Sequence, residues 1–351
     1  MFKLGIALLI LVLLFDVSEA ATPVARDCHE TEKAGEGSWY IGDAAIMGTP
    51  IHVELWSETA PRACALIEEV MAEMRRIDAL MSPYIETSML SRLNSLGSSE
   101  QVEVGEELYN LIEQSIAFSR LTNGAFDVTY ASAGRYYDFR KGERPSDETL
   151  RQALAAINYR YLLMNERRHA IRFGHEGVYV DLGGIAKGYA VDRGIRILQQ
   201  HGVADAMVSA GGDSRIIGDR KGQPWVVGIR HPRAEDANLA VLPLMDVSVS
   251  TSGDYERYFE RDGVRYHHII DPTTGDSARD LVSVTILGAD ATTTDALSTS
   301  VFVLGREAGL ALIDQLEGID AIVVDGSGVM HLSASISQMN QNNTVAQVGA
   351  K

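Results

Sequence analysis

Asp295 and Thr299 stand four residues apart in a stretch, about Thr293 to Val303, whose apolar spacing predicts a helix. Their oxygens then share one face and can share a hard cation such as Mg²⁺, which takes few protein oxygens and completes its shell with water or phosphate. Taken alone, such a pair is more often a solvated helix face. Upstream, Val180-Asp181-Leu182-Gly183-Gly184-Ile185-Ala186-Lys187-Gly188-Tyr189 reads as strand, glycine turn and helix start. A helix start of this kind turns free N–H groups and a positive dipole end outward, which suits a phosphate, and Lys187 adds a mobile ammonium. The turn is neither a Walker sequence nor G-x-G-x-x-G, and strand–Gly–Gly–helix turns are common. His267-His268-Ile269-Ile270-Asp271-Pro272 sets two imidazoles beside a carboxylate. Strand alternation sends the two rings to opposite faces, and Asp271 is expected to raise the pKa of His268 by favouring its charged form.

Other chemistries lack their parts. No G-x-S-x-G elbow accompanies His268 and Asp271, and neither H-E-x-x-H nor a paired-cysteine zinc motif occurs. Gly211-Gly212-Asp213 and Ser252-Gly253-Asp254-Tyr255 are further glycine turns that each present a carboxylate. Each alone is a loop; together the glycine-rich polar turns are what a clamp for a large polar ligand needs.

The elements that must position these residues follow from periodicity. Helices are expected over about 62–81, 106–121, 147–157, 187–200, 293–303 and 306–316. A strand interrupted by glycine is expected over 46–55, an ordered loop at 125–130, and strands at 161–164, 170–173 and 178–182. Short strands should follow at 206–209, 225–229, 247–250, 266–270, 282–287 and 320–324. No repeat or linker divides the chain, so the expected fold class is α+β: a single compact domain over 36–332, with antiparallel-rich sheet and packed helices. Residues 21–35 read as a lead-in, and 333–351, rich in Ser, Gln and Asn, as a disordered tail.

The 351 residues carry a formal net charge of −17, which argues against nucleic acid as a partner. Lys3, the apolar run Leu4 to Phe15 and Ser18-Glu19-Ala20 read as a secretory signal over residues 1–20; an uncleaved anchor or an internal start are the competing readings. Export to an oxidising compartment, the periplasm, permits a disulfide. With two cysteines, the simpler reading is a buried, inert Cys64 and a free thiol at Cys28. Arg26-Asp27 before Cys28 is no lipobox, so a lipid anchor is not supported.

Taken in order, Met47-Gly48-Thr49, Tyr84 with Ser88 through Asn94, Gly124 through Thr129, Asp181 through Tyr189, Gly211-Gly212-Asp213, Ser252 through Tyr255, His268 through Gly275 and Thr294 through Gly305 resemble the ApbE family of flavin transferases over about residues 40–332. The resemblance implies Mg²⁺-dependent transfer of FMN from FAD to a Ser or Thr hydroxyl of an acceptor protein, with AMP released; some members hydrolyse FAD instead, and a non-catalytic flavin-binding protein would lack the metal residues. It assigns FAD contacts to Met47, Tyr84, Ala125, Phe126, Asp127, Asp181, Lys187, His268 and Ile269, and Mg²⁺ to the Gly184 carbonyl, Asp295 and Thr299. For His268 it is compatible with a base and with a residue that only positions flavin, in which case Mg²⁺ and Asp271 between them are expected to activate the hydroxyl. The implied acceptor is a flavin-carrying subunit of a membrane redox complex, and the chain has no acceptor signature of its own.

Overall fold

The computed structural model describes residues 26–234 and 237–338. The signal reading at 1–20 and the end of the tail lie outside these residues. Among the described residues, nine strands form one antiparallel sheet whose spatial order is the chain order: Arg26–Ala34, Gly37–Ile46, Thr49–Ser57, Ala206–Ala210, Asp213–Ile217, Ser248–Gly253, Leu281–Gly288, Asp320–Asp325 and Met330–Leu332. Together with its packed helices this is the expected α+β domain.

Alternation decides which face is covered. Ile51, Val53 and Leu55 are fully buried, and their face packs on the helix Ala60–Met81, whose stripe includes Leu66, Ile67, Val70, Met74 and Ile77. Pro61 supplies the fixed φ of a first helical turn, and Ser82-Pro83 ends the helix. The helix Ala186–Gln200 lies beside it in the same core. The helix Ala291–Leu304 is buried on nearly all sides, so it shows little amphipathic pattern. Its hydroxyls are tied to the sheet: Ser250 Oγ to Thr294 Oγ1 at 2.7 Å and Ser252 Oγ to Ser298 Oγ at 2.8 Å. Asp192, from the neighbouring helix, accepts from the N–H groups of Ala291 and Thr292 and so caps its start.

Those two helices meet backbone to backbone at Gly188, where a Cβ would overlap the Ala291 carbonyl and crowd Asp295 Cβ. Gly188→Ala is therefore expected to destabilise the fold by about 1–3 kcal/mol through overpacking, although alanine is the better helix former by about 1 kcal/mol. A denaturant midpoint no lower than that of the parent protein would contradict the close approach.

Five expectations are corrected. Residues 46–55 are not one interrupted strand: Met47 (φ 56°) and Gly48 (φ 68°) form a tight turn between two strands, both central residues left-handed as such hairpins require. The lead-in is not separate, because Arg26–Ala34 is an edge strand on Gly37–Ile46. Its polar sequence and two register shifts hide it from a period-two reading. Cys28 is not free: it is bonded to Cys64 across a Cα–Cα distance of 5.3 Å, which fastens that edge strand to the Ala60–Met81 helix. Residues 178–182 run extended but outside any ladder, because Asn94 takes both backbone groups of Val180, donating to its carbonyl at 2.8 Å and accepting from its N–H at 2.7 Å. Asn94 sits on a short helix, Met89–Leu96, capped by Ser88, that periodicity does not reveal. Finally, the tail assignment starts too early: Ser333 is buried, bonds Asp320 and Ala321, and leads into a helical turn over 334–338.

Candidate active site

A cavity of about 610 Å³ opens where the glycine turns converge, lined by residues 47–50, 81–84, 125–128, 181–184, 211–213, 251–253 and 268–270, with Asp295 and Thr299 from the buried helix. Its volume falls in the range of about 300–1,000 Å³ usual for small-molecule sites. Every residue proposed for FAD or metal from the sequence lines it; Asp271, proposed as a catalytic residue beside His268, does not.

At its floor Lys187 Nζ lies 2.8 Å from Asp213 Oδ2, 3.2 Å from both carboxylate oxygens of Asp295, and donates to the Gly183 carbonyl at 3.1 Å. Lys187 is thus clamped, not the mobile ammonium expected. Burial disfavours its charge, but Asp213 and Asp295 outweigh that and hold it above its ordinary value. Burial and then the Asp213 charge push the Asp295 carboxyl up to about 7, against the pull of Lys187. Two of the turn's N–H groups are also taken by carboxylates, since Gly183 N donates to Asp181 Oδ1 at 2.7 Å and Gly188 N to Asp295 Oδ2 at 3.0 Å. At these two N–H groups the helix start organises carboxylates.

This floor fits a hard cation. Asp213 and Asp295 are each 2% exposed, and Asp213 Oδ2, close to Lys187, has no aligned hydrogen bond. Gly184 lies against Thr299, where a Cβ would come 3.1 Å from the hydroxyl oxygen and 3.3 Å from the Phe126 ring. The donors are two carboxylates, a hydroxyl and a backbone carbonyl, all hard oxygens. Among the described residues no three His, Cys, Asp or Glu side chains are grouped as a metal site, so water or ligand oxygens would complete any shell here. The burial of Asp295 excludes the solvated-face reading of the Asp295–Thr299 pair.

The histidine pair divides as alternation predicts. His267 is buried, with Nε2 at 2.8 Å from the Ala278 carbonyl, and ends the strand Val264–His267. His268 faces the cavity, and its Nδ1 is buried without a partner. The expected role of Asp271 is corrected. Its Oδ1 accepts from Thr273 N–H at 2.8 Å and from the Thr273 hydroxyl at 2.7 Å, so the carboxylate builds the turn and lies off the cavity lining. The pKa of His268 is lowered to about 3, not raised, by burial first and then by Arg257, His267 and Lys187.

A histidine whose native pKa is depressed takes up its proton in the unfolded chain, near 6.5, before it does so in the native one. Stability is therefore expected to fall as pH drops from about 6.5 towards 3, with up to one proton's worth of slope from this residue. Melting His268→Asn beside the parent across that window checks it; parallel curves would contradict it.

Asp127 is also a builder. Its carboxylate accepts from Thr129 N–H, the Thr129 hydroxyl and Tyr159 N–H, which leaves Ala125 and Phe126 to shape the wall. Met47 is held by an N–H bond to Asp78 at 3.3 Å, and Tyr84, 79% exposed, stands at the rim. Sequence reasoning named Asp213 only as a loop carboxylate and missed Arg257; each becomes meaningful only through residues far away in the chain.

Residues 47–323 match the ApbE family. A "FAD:protein FMN transferase" of Treponema pallidum is 34% identical over 310 residues, covering 83% of this chain and 86% of that protein. One from Vibrio cholerae is 36% identical over 255 residues, covering 70% and 75%. The crystal structure of the ApbE protein of Thermotoga maritima superposes with a TM-score of 0.78 at 38% identity over 86% of this chain and 98% of that one. The flavin transferase ApbE of Vibrio cholerae gives 0.77 at 30% identity over 86% and 99%. The ordered glycine turns, the sheet that carries them and these likenesses agree: the chain belongs to the ApbE family.

Proposed function

We propose that this protein is an FAD:protein FMN transferase that moves FMN from FAD to a Ser or Thr hydroxyl of an acceptor protein. The observation that carries the reading is the buried oxygen cluster of Asp213, Asp295, Thr299 and Gly184 at the floor of a cavity of about 610 Å³ lined by seven chain segments. In the reaction the acceptor oxygen bonds to the FMN phosphorus, the bond from that phosphorus to the AMP oxygen breaks, and the hydroxyl proton is released. Mg²⁺, held by Asp295, Thr299 and the Gly184 carbonyl with Asp213 alongside, would offset the charge that builds on the phosphate oxygens.

The chain's own residues bind and orient. Lys187 keeps the two floor carboxylates together against their mutual repulsion. Phe126, packed edge-on against Phe118 at 6.0 Å, supports Gly184 from beneath. His268 stays neutral across the physiological range, and its free Nδ1 is suited to hold a polar group of the flavin; with a pKa of about 3 it is a weak proton acceptor, which favours positioning over general base catalysis. We also propose that the protein acts in the periplasm, a reading supported by the Cys28–Cys64 bond and by the N-terminal apolar run.

Incubating the protein with FAD, Mg²⁺ and a candidate acceptor, such as a flavin-carrying subunit of a membrane redox complex, should give a fluorescent acceptor band that survives denaturing electrophoresis. FAD consumed to FMN and AMP with every acceptor left unlabelled would replace transfer by hydrolysis.

A further inference from the structure

Three full cations line the cavity, Lys187, Arg135 and Arg257, and their surroundings differ. Lys187 is neutralised by two carboxylates at 2.8 and 3.2 Å. Arg135 is stacked between Tyr136 and Tyr179, its guanidinium carbon 5.0 Å from each ring centroid, and donates to the Tyr136 hydroxyl. Among the described residues Arg257, whose side chain is exposed, has neither a carboxylate within ion-pair distance nor an aromatic ring beneath it, and its charge acts on the buried Asp181 carboxyl only from further off.

Its backbone is nevertheless fixed. Its carbonyl accepts from His268 N–H at 3.1 Å, which joins the turn after the strand Ser248–Gly253 to the cavity histidine. Its guanidinium lies over the Met47–Gly48 turn, where a Cβ on Gly48 would come 3.4 Å from Nη2. That turn is left-handed at both residues and lines the cavity, so the cation and the glycine face the same space.

Resting on the flavin-transfer reading, we propose that Arg257 is an anion-binding residue of this site and holds the diphosphate of FAD from the Met47–Gly48 side of the cavity. A diphosphate brings two negative charges, and the floor's own cation is already spent on Asp213 and Asp295. A planar guanidinium offers two parallel N–H bonds to such a group, which an ammonium cannot match. Among the described residues Arg257 makes no close ion pair, so its replacement breaks no salt bridge, and the Asp181 carboxyl, on which its charge acts, keeps the Gly183 N–H.

The test compares two ligands that share the isoalloxazine ring: FAD, with its diphosphate, and riboflavin, with no phosphate. Flavin fluorescence titrations of the metal-free protein should show Arg257→Gln weakening FAD by about tenfold to a hundredfold, with riboflavin unchanged within twofold, and Arg257→Lys recovering part of the loss. Added salt should weaken FAD binding more in the parent than in Arg257→Gln. FAD affinity within twofold of the parent in Arg257→Gln overturns the assignment, as does an equal loss for both ligands, which would mark a packing role. A parent protein that binds riboflavin as tightly as FAD overturns the flavin-transfer reading and this assignment with it, so the two failures are told apart by the parent's own preference.

Discussion

Asp295→Asn is expected to lower FMN transfer at saturating FAD by at least roughly a hundredfold while leaving a folded, cooperatively melting protein. The size follows from where the charge sits: in the proposed reaction a carboxylate 2% exposed beside Asp213 and Thr299 would supply a charged oxygen donor to Mg²⁺ where charge accumulates on phosphate. Asparagine keeps an oxygen for the Gly188 N–H, so the helix contact survives and the loss reads on chemistry. Lys187 retains Asp213, so its ammonium is not stranded. Thr299→Ala should be milder, because water replaces a neutral hydroxyl more readily than a carboxylate. Near-parent rates for Asp295→Asn at low Mg²⁺ would show that the floor is structural.

Removing the Cys28–Cys64 bond should cost up to about 4 kcal/mol, the loop-closure entropy of a 36-residue separation, and lower the melting temperature by roughly 5–10 °C. The loss is borne by the edge strand, which is otherwise held by one irregular ladder and a few side-chain bonds, among them Trp56 to the Ala34 carbonyl and Arg220 to Glu32. Neither cysteine lines the cavity, so transfer by the folded Cys28→Ser/Cys64→Ser protein should stay within twofold of the parent. A thermal melt of the parent with and without reductant checks the bond directly; no shift would mean that it contributes nothing to stability.

How far the sequence could be read depended on whether a residue's partners are local. The helix Glu106–Leu121 has its predicted bounds because its stripe, its acidic first turn and Thr122-Asn123-Gly124 all lie within twenty residues. The Met47–Gly48 turn was misread because methionine does not advertise a left-handed conformation, and alternation continues across a two-residue turn. Residues 178–182 alternate like a strand, yet their hydrogen bonds come from the Asn94 side chain, 86 residues away. The same rule governs the site. Asp295 and Thr299 are four apart on one helix and were legible together; Lys187 was legible as a cation but not as a clamped one, since its carboxylates lie 26 and 108 residues further on. Asp271 looked like a partner for His268 by proximity in sequence, and its side chain turned to Thr273 because a tight turn offers an unpaired N–H at that distance.

The central claim, that the cavity transfers FMN and does not merely hold or hydrolyse flavin, is tested most directly by counting both products in one reaction. With FAD, Mg²⁺ and an acceptor bearing a flavinylation motif, AMP released and flavin bound covalently to the acceptor should rise together at one to one, and Asp295→Asn should slow both equally. Tight FAD binding with no AMP released, or AMP released with no covalent flavin on any acceptor, would contradict it.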